Sequence, residues 1–106
     1  MNHTALRNKI LVALSRPDCR VIAINAMVAR NPKTRQVVRS VEKGTPDLLA
    51  LLSNGRFLWI EVKTGQGRLT PEQRNFRDRI VDLAGEPHHV VARSVEDAVA
   101  AVEAIS

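Results

Sequence analysis

Residues 44–63, which read GTPDLLALLSNGRFLWIEVK, decide the fold of this 106-residue chain. Two apolar runs, 48–52 and 57–62, lie on either side of the pair Asn54-Gly55. Asn-Gly between apolar runs of strand length is a strong signal for a β-hairpin. The stretch therefore predicts two neighbouring antiparallel strands, with an acidic residue entering the first and an acid and a lysine at the end of the second.

The charged residues of this hairpin are of the types that build a divalent-metal site. Successive strand residues alternate faces, so Glu61 and Lys63 project from the same side, roughly 6.5 to 7 Å apart at the backbone. Carboxylates of Asp47 and Glu61, with the Val62 carbonyl, are hard oxygen ligands that suit Mg²⁺ or Mn²⁺. Such a cation activates water and neutralises charge at a phosphorus centre, while a lysine stabilises that charge. The pattern favours phosphodiester hydrolysis; the alternative is an exposed Glu61–Lys63 ion pair of little energetic worth.

The length of the hairpin loop decides whether the two acids can meet. With a loop of two or four residues, Leu52 would oppose Phe57, and Asp47 would point away from Glu61. A three-residue loop of residues 54–56 with a positive φ, or a β-bulge near Asp47, places both acids on one face. The metal-site hypothesis therefore requires one of these two irregularities.

A helix start follows the hairpin at Thr70-Pro71-Glu72-Gln73. Thr70 at the N-cap, proline at the first helical position and Gln73 as the capping-box partner are typical of a helix N-terminus. On spacing alone, capping is the better explanation for Gln73. A helix N-terminus that faces a metal site can also receive a phosphate.

Charge composition favours a polyanionic partner. The chain has 16 Lys and Arg against 11 Asp and Glu, a formal net charge of +5, and such an excess is typical of nucleic-acid binding. With only two Phe, one Trp and no Tyr, contacts to phosphates are expected rather than base stacking. The alternative for each basic residue is a solvated face. The candidate DNA-binding residues form two clusters: Arg30, Lys33, Arg35, Arg39 and Lys43, and then Arg68, Arg74 and Arg77.

Three segments together resemble the PD-(D/E)xK nuclease superfamily and, within it, the virus-type replication-repair nuclease (VRR-NUC) domains. They are Gly44 to Leu48, Phe57 to Lys63, and Gly67 to Gln73. The resemblance implies an α/β fold with a restriction-endonuclease-like core, in which helices flank a mixed central β-sheet. The implied element order is αβββαβ followed by a C-terminal helix, in one domain over residues 1–106.

The resemblance also implies a function. It is Mg²⁺- or Mn²⁺-dependent DNA cleavage, with Asp47, Glu61 and Lys63 as the catalytic centre and Gln73 as an accessory residue. Small free-standing members resemble homodimers that cut branched duplexes such as four-way junctions, in a bacterial or phage-infected cell. The pairing surface is expected around Leu6 and Ile10 or on the exposed side of the hairpin.

One departure from the family pattern concerns the first helix. Many members carry a glutamate there that approaches the metal, whereas Thr4 to Leu14 contains no acid, and Ala5 or His3 takes that position. Two alternative functions therefore stay open: a nicking or restriction-type nuclease, and a nucleic-acid-binding module that has lost cleavage.

The rest of the chain predicts the scaffold and the compartment. Cys19 is the sole cysteine, and no signal peptide or long apolar segment is present, which favours a reduced cytoplasm and no membrane association. Turn residues, apolar periodicity and capping signals predict the elements. They are helices at 4–15, 71–84 and 95–105, strands at 21–27, 36–41 and 90–92, and a turn at 31–34.

Overall fold

The computed structural model describes residues 1–25 and 28–106. Its core elements follow the predicted order αβββαβ with a C-terminal helix, and a small extra hairpin lies between the first two core strands. The elements are α1 His3–Leu14, β1 Cys19–Ala23, β2 Val28–Arg30, β3 Val37–Arg39, β4 Leu48–Leu52, β5 Phe57–Val62, α2 Pro71–Ala84, a 3₁₀ turn Glu86–His88, β6 His89–Ala92 and α3 Val95–Ile105.

The central sheet has the strand order β1-β4-β5-β6. The first three strands pair antiparallel and β6 pairs parallel to β5, so the sheet is mixed, as predicted. Helices α1 and α3 pack together on one face, where Ile10, Ile60 and Val102 are fully buried. Helix α2 lies on the other face, because Trp59 contacts Phe76 edge to face at 5.2 Å between ring centroids. The helices leave one end of the sheet open for a site.

The β4–β5 turn has the three residues that the metal-site hypothesis requires. The turn is Ser53-Asn54-Gly55, since Leu52 N–H donates to the Arg56 carbonyl at 2.9 Å. Gly55 has φ 85°, the positive value expected for a three-residue hairpin loop. The predicted loop, residues 54–56, was therefore correct in length but began one residue too late. Moving the loop by one residue changes the pairing of β4 with β5 by two residues. Because side chains alternate with a period of two, Asp47 and Glu61 still lie on the same face.

Three predicted strands differ in their bounds, and β6 differs least, since it begins at His89 instead of residue 90. Strand β1 runs from Cys19 to Ala23 instead of residues 21–27, because buried Cys19 already faces the core; residues 26 and 27 of the predicted strand lie outside the described residues. The predicted strand 36–41 shortens to 37–39. Its partner β2 was not predicted, since a three-residue segment leading into a basic turn has no periodicity to detect.

The helix ends follow the capping signals closely. Ser94 caps α3 by accepting from Asp97 N–H, and α2 ends at Ala84 with Gly85, whose φ is 100°, as its C-cap. Helix α1 starts at His3, one residue before its predicted start, because the Asn2 side chain accepts from Ala5 N–H at 2.8 Å. Across residues 1–25 and 28–106, every helix is too short or too polar to cross a lipid bilayer.

Candidate active site

Asp47 and Glu61 lie opposite each other at the open end of the sheet. Leu48 pairs with Ile60, so the next pair along the hairpin is Asp47 with Glu61, on the same face of the sheet. The Asp47 carbonyl accepts from Ile24 N–H at 2.8 Å. Its carboxylate Oδ2 accepts from Val62 N–H, also at 2.8 Å. Both neighbouring strands therefore hold Asp47 in place.

The first turn of α2 brings Gln73 to Glu61. Gln73 Oε1 accepts from Thr70 N–H at 2.9 Å and Thr70 Oγ1 accepts from Gln73 N–H, which completes the predicted capping box. The other end of the same amide, Nε2, donates to Glu61 Oε1 at 2.9 Å. Capping and site contact are thus not alternatives, because one side chain makes both at once.

Gly44, three residues before Asp47, packs directly against the backbone of the first turn of α2. Its φ is 92°, and a Cβ at this position would lie 2.3 Å from the Glu72 carbonyl oxygen and 3.0 Å from Gln73 N. Both features demand glycine, because L side chains rarely adopt positive φ and no heavy atom tolerates so short a contact. Direct backbone contact between the two motifs therefore sets how far Gln73 reaches toward Glu61.

Lys63 completes the cluster on the same face. Its Nζ lies 3.9 Å from Glu61 Oε1, and the lysine side chain is only 17% exposed. Lys63 N–H donates to the Ala92 carbonyl at 3.0 Å, toward β6. Because backbone groups of successive strand residues point to opposite sides, Val62 directs its N–H and its carbonyl toward β4 and Asp47. The Val62 carbonyl is thus on the side of the two acids.

Glu61 is in an electrostatically costly position. The residue is 3% exposed, and its Oε2 is buried without a hydrogen-bond partner in the described part of the chain. Burial, and then the nearby Asp47 carboxylate, raise the pKa of Glu61 to about 8, although Lys63 opposes the shift. The pair therefore has a strong preference for a proton or a cation between its oxygens.

The donor set suits a hard divalent cation. Within residues 1–25 and 28–106, no group of three or more His, Cys, Asp or Glu side chains is arranged to hold a metal ion. Mg²⁺ typically uses one or two protein carboxylates and takes its other ligands from water and phosphate oxygens. Asp47, the orphaned Oε2 of Glu61 and the Val62 carbonyl fit that pattern.

His3, one of the two residues expected at the position of a first-helix acid, lies beside Asp47. Its Nε2 lies 3.3 Å from Asp47 Oδ1, and its side chain is about half exposed. The first turn of α1 contains no acid, so an imidazole is the titratable group that this turn brings to Asp47. The sequence signal for this position of His3 was Asn2, because an asparagine at the N-cap makes the next residue the first of the helix.

The first basic cluster divides into two parts. Arg30, Lys33, Arg35 and Arg39 are exposed on the β2–β3 hairpin. Lys43 instead lies beside α2, where its Nζ is 3.3 Å from Glu72 Oε1. Only the hairpin members are therefore free of a carboxylate partner among the described residues.

The second basic cluster gathers in one shallow cleft of about 280 Å³. Arg68, Arg74 and Arg77 line it together with Arg93, which was not among the predicted residues. Arg93 follows β6 and its Nη1 donates to the Gly65 carbonyl at 3.1 Å. Arg93 could have been predicted from its position in the sequence. It follows β6, which is parallel to β5, so it lies at the same edge of the sheet as the β5–α2 loop.

A family model described as the VRR-NUC domain matches residues 10–96. The match includes Asp47, Glu61, Lys63 and Gln73 and excludes His3. No curated protein and no solved structure matches the chain. The matched span takes in every strand of the sheet and covers most of the chain, and the chain therefore belongs to the VRR-NUC family of nuclease domains.

Proposed function

We propose that this protein is a divalent-metal-dependent endodeoxyribonuclease that hydrolyses phosphodiester bonds in branched duplex DNA. The observation that carries the proposal is the facing pair of Asp47 and Glu61, with a buried Glu61 oxygen that has no hydrogen-bond partner among the described residues. The Lys63 ammonium lies 3.9 Å from the other oxygen, Oε1, and does not satisfy Oε2. The pair is better explained as one half of a cation site.

The carboxylates of Asp47 and Glu61, with the Val62 carbonyl, would hold Mg²⁺ or Mn²⁺. When bound, the cation supplies an activated water and neutralises charge on the scissile phosphate. Gln73 fixes Oε1 of Glu61 through its amide, which leaves Oε2 as the oxygen available to a cation. The carboxylates thus act as ligands with fixed orientation and need no rearrangement.

Lys63 is the cationic group of the site. Its partial burial strengthens its electrostatic field, since fewer waters screen it. From a position 3.9 Å from Glu61 Oε1, its ammonium orients the attacking water or stabilises the negative charge of the transition state. The start of α2 adds a second electropositive element, because its first-turn N–H groups favour phosphate oxygens.

The two groups of basic residues offer phosphate contacts beyond the site. One group is on the β2–β3 hairpin, and the other lines the cleft that includes Arg93. Nonspecific contacts of this kind supply most of the affinity for a duplex. The DNA-binding residues of this proposal are Arg30, Lys33, Arg35, Arg39, Lys43, Arg68, Arg74, Arg77 and Arg93.

The proposal includes a homodimer, since paired cuts in a four-way junction require two sites related by a two-fold axis. Leu6 and Ile10 cannot form the pairing surface, because they are 4% and 0% exposed in the core. The open side of the sheet is the better candidate. There Ile22 and Leu51, on the adjacent strands β1 and β4, are 41% and 43% exposed.

A second candidate function is a DNA-binding module that does not cut. The observation that favours it is the first turn of α1, which carries His3 and no acid. A nicking enzyme with the same centre is a further alternative, and it differs in making one cut by a monomer.

One assay separates these functions. Linear, flap and four-way-junction DNA of matched sequence, labelled on each strand, are incubated with Mg²⁺, with Mn²⁺ and with chelator, while sedimentation gives the mass of the protein. Paired cuts in the junction by a dimer support the proposal. Single cuts by a monomer would indicate a nicking enzyme, and binding without cuts would indicate a silent module.

Lys63→Ala is the informative variant in this assay. It should bind the metal as the wild type does and cleave about 10²-fold more slowly, the usual effect of losing one transition-state donor. Arg20→Ala is the control, since it removes a cation from strand β1, at the opposite end of the sheet from the site. Unchanged cleavage by Lys63→Ala would exclude lysine from the chemistry.

A further inference from the structure

The β2–β3 hairpin, residues 28–39, forms a separate two-stranded sheet; we call it the basic arm. Every residue from 29 to 40 is exposed. A hairpin buried on one face would show alternating burial, as β4 does. The basic arm therefore extends from the body of the protein, with both faces in solvent.

The tip of the basic arm is a turn held by several hydrogen bonds. The Asn31 side chain accepts from Lys33 N–H at 2.9 Å and from Thr34 N–H at 3.2 Å. Its backbone carbonyl accepts from Arg35 N–H, and its N–H donates to the Gln36 carbonyl, both at 2.8 Å. Arg35 takes φ 63°, a value that usually selects glycine or asparagine. A long cationic side chain is thus held at the tip where glycine would be less strained.

The charge of the basic arm has a single sign. Residues 29–40 contain four basic side chains and no acidic one. Among the described residues none of the four forms an ion pair, unlike Lys43 beside Glu72. The strand register sets Arg30 opposite Val37 and Arg39 opposite Val28, so Arg30 and Arg39 share one face of the ribbon. An exposed surface of this kind is complementary to a polyanion.

The basic arm starts beside the candidate active site. Ile24, four residues before β2, donates its N–H to the Asp47 carbonyl. From its base the ribbon extends about five residues to the tip, roughly 17 Å at strand spacing. That length is about half of a helical turn of B-DNA. A duplex with a phosphate at Asp47 therefore passes within reach of the tip.

We propose that the basic arm enters the major groove of the duplex next to the cut site, an inference that rests on the proposed nuclease function. A two-stranded ribbon fits the major groove, about 12 Å wide, whereas the minor groove, about 6 Å wide, would first have to be widened. Arg35 at the tip reaches guanine edges, while Arg30 and Arg39 contact phosphates at the rim of the groove. The basic arm thus grips the DNA independently of the metal site.

The test measures binding to a junction in chelator, so that no strand is cut. Guanine N7 methylation reports the major groove, and adenine N3 methylation reports the minor groove. The variants are Arg35→Gly, whose backbone favours the observed turn, and the pair Arg30→Gln with Arg39→Gln. Arg56→Gln is the control, because Arg56 is an exposed arginine at the opposite end of the sheet.

We expect the wild type to protect guanine N7 near the cut site, and Arg35→Gly to lose that protection while the rest of the footprint remains. Removing Arg30 and Arg39 should lower the slope of log affinity against log salt by about 1.8, at about 0.9 for each phosphate contact. Arg56→Gln should leave both measurements unchanged.

Three results would overturn the inference. If both arm variants kept the wild-type salt dependence of affinity and the wild-type protection of guanine N7, the basic arm would not touch DNA. Protection of adenine N3 instead of guanine N7 would place it in the minor groove. Loss of the dimer in the arm variants, with protection unchanged, would make it a contact between copies. In each case continued cleavage by the wild type would leave the nuclease function intact, whereas a wild type that neither binds nor cuts DNA would refute both.

Discussion

The candidate active site and the basic arm both concentrate charge, but they hold it in opposite ways. At the site, Asp47 is hydrogen-bonded from two strands and Glu61 is 3% exposed with its position fixed by Gln73. On the arm, four cations are exposed and have no carboxylate partner among the described residues. Fixed, buried charge gives a site that demands a small cation; exposed charge on a projecting ribbon suits an extended polyanion.

The contrast separates chemistry from affinity. Buried like charges are costly, so they are retained where they have a ligand to bind. Exposed cations cost little, and they contribute to binding mainly through release of counterions from DNA. Substitutions at the site should therefore reduce the cleavage rate, whereas substitutions on the basic arm should reduce the affinity for DNA.

The largest expected effect is on cleavage at the site. Asp47→Asn or Glu61→Gln removes one anionic ligand and should lower the cleavage rate by on the order of 10³ or more, since metal stabilisation of transition-state charge is worth several kcal/mol. Binding of junction DNA in chelator should persist, because the basic arm is intact. Cleavage at the wild-type rate by Glu61→Gln would refute the metal-site hypothesis.

Gly44→Ala should damage the site through the helix start. The new Cβ would collide with the Glu72 carbonyl, so α2 must shift and Gln73 must lose its reach to Glu61. Gly55→Ala is a matched control, because Gly55 also has a positive φ but has nothing within 4 Å of its would-be Cβ. Urea unfolding should show Gly44→Ala less stable than the control by about 1–3 kcal/mol. If the two variants lost equal stability, the positive φ alone would explain the need for glycine at position 44.

The pH dependence of stability should reveal the raised pKa of Glu61. In chelator, folded Glu61 keeps its proton up to about pH 8, whereas the unfolded chain releases it near 4.5. Its contribution to stability is therefore full below about 4.5 and is lost as the pH rises to about 8. The melting temperature of the wild type should fall by a few degrees more than that of Glu61→Gln between pH 5 and 9. Parallel pH profiles would contradict the raised pKa.

The smallest expected effect is at His3. A half-exposed contact is worth at most about 1 kcal/mol, so His3→Ala should slow cleavage less than about fivefold. Thr4→Ala, an exposed neighbour on α1, controls for helix stability. A hundredfold loss specific to His3→Ala would mean that the imidazole replaces the missing acid of the first helix and acts directly in the site.

Local signals were sufficient for most elements of this fold. Asn54-Gly55, the capping box at Thr70 and the stop at Gly85 act within a few residues, so strands β4 and β5 and helix α2 were predicted with their exact bounds. Strand β2 was missed and β1 was misplaced, because short segments carry too few periodic positions. The site residues Asp47, Glu61, Lys63 and Gln73 were also chosen from sequence, and their catalytic roles stay predictions.

What the sequence determined by itself was therefore chemistry and local conformation: which carboxylates, which lysine, where the turns and caps lie, and an excess of positive charge. Only the tertiary structure decided the distances, because they depend on contacts between residues far apart in the chain. The one-residue position of the hairpin turn, the approach of Gly44 to α2, the reach of His3 to Asp47 and the exposure of the basic arm all belong to this second class. A side chain's type is encoded at its own position, but its neighbours are set by packing of the whole fold.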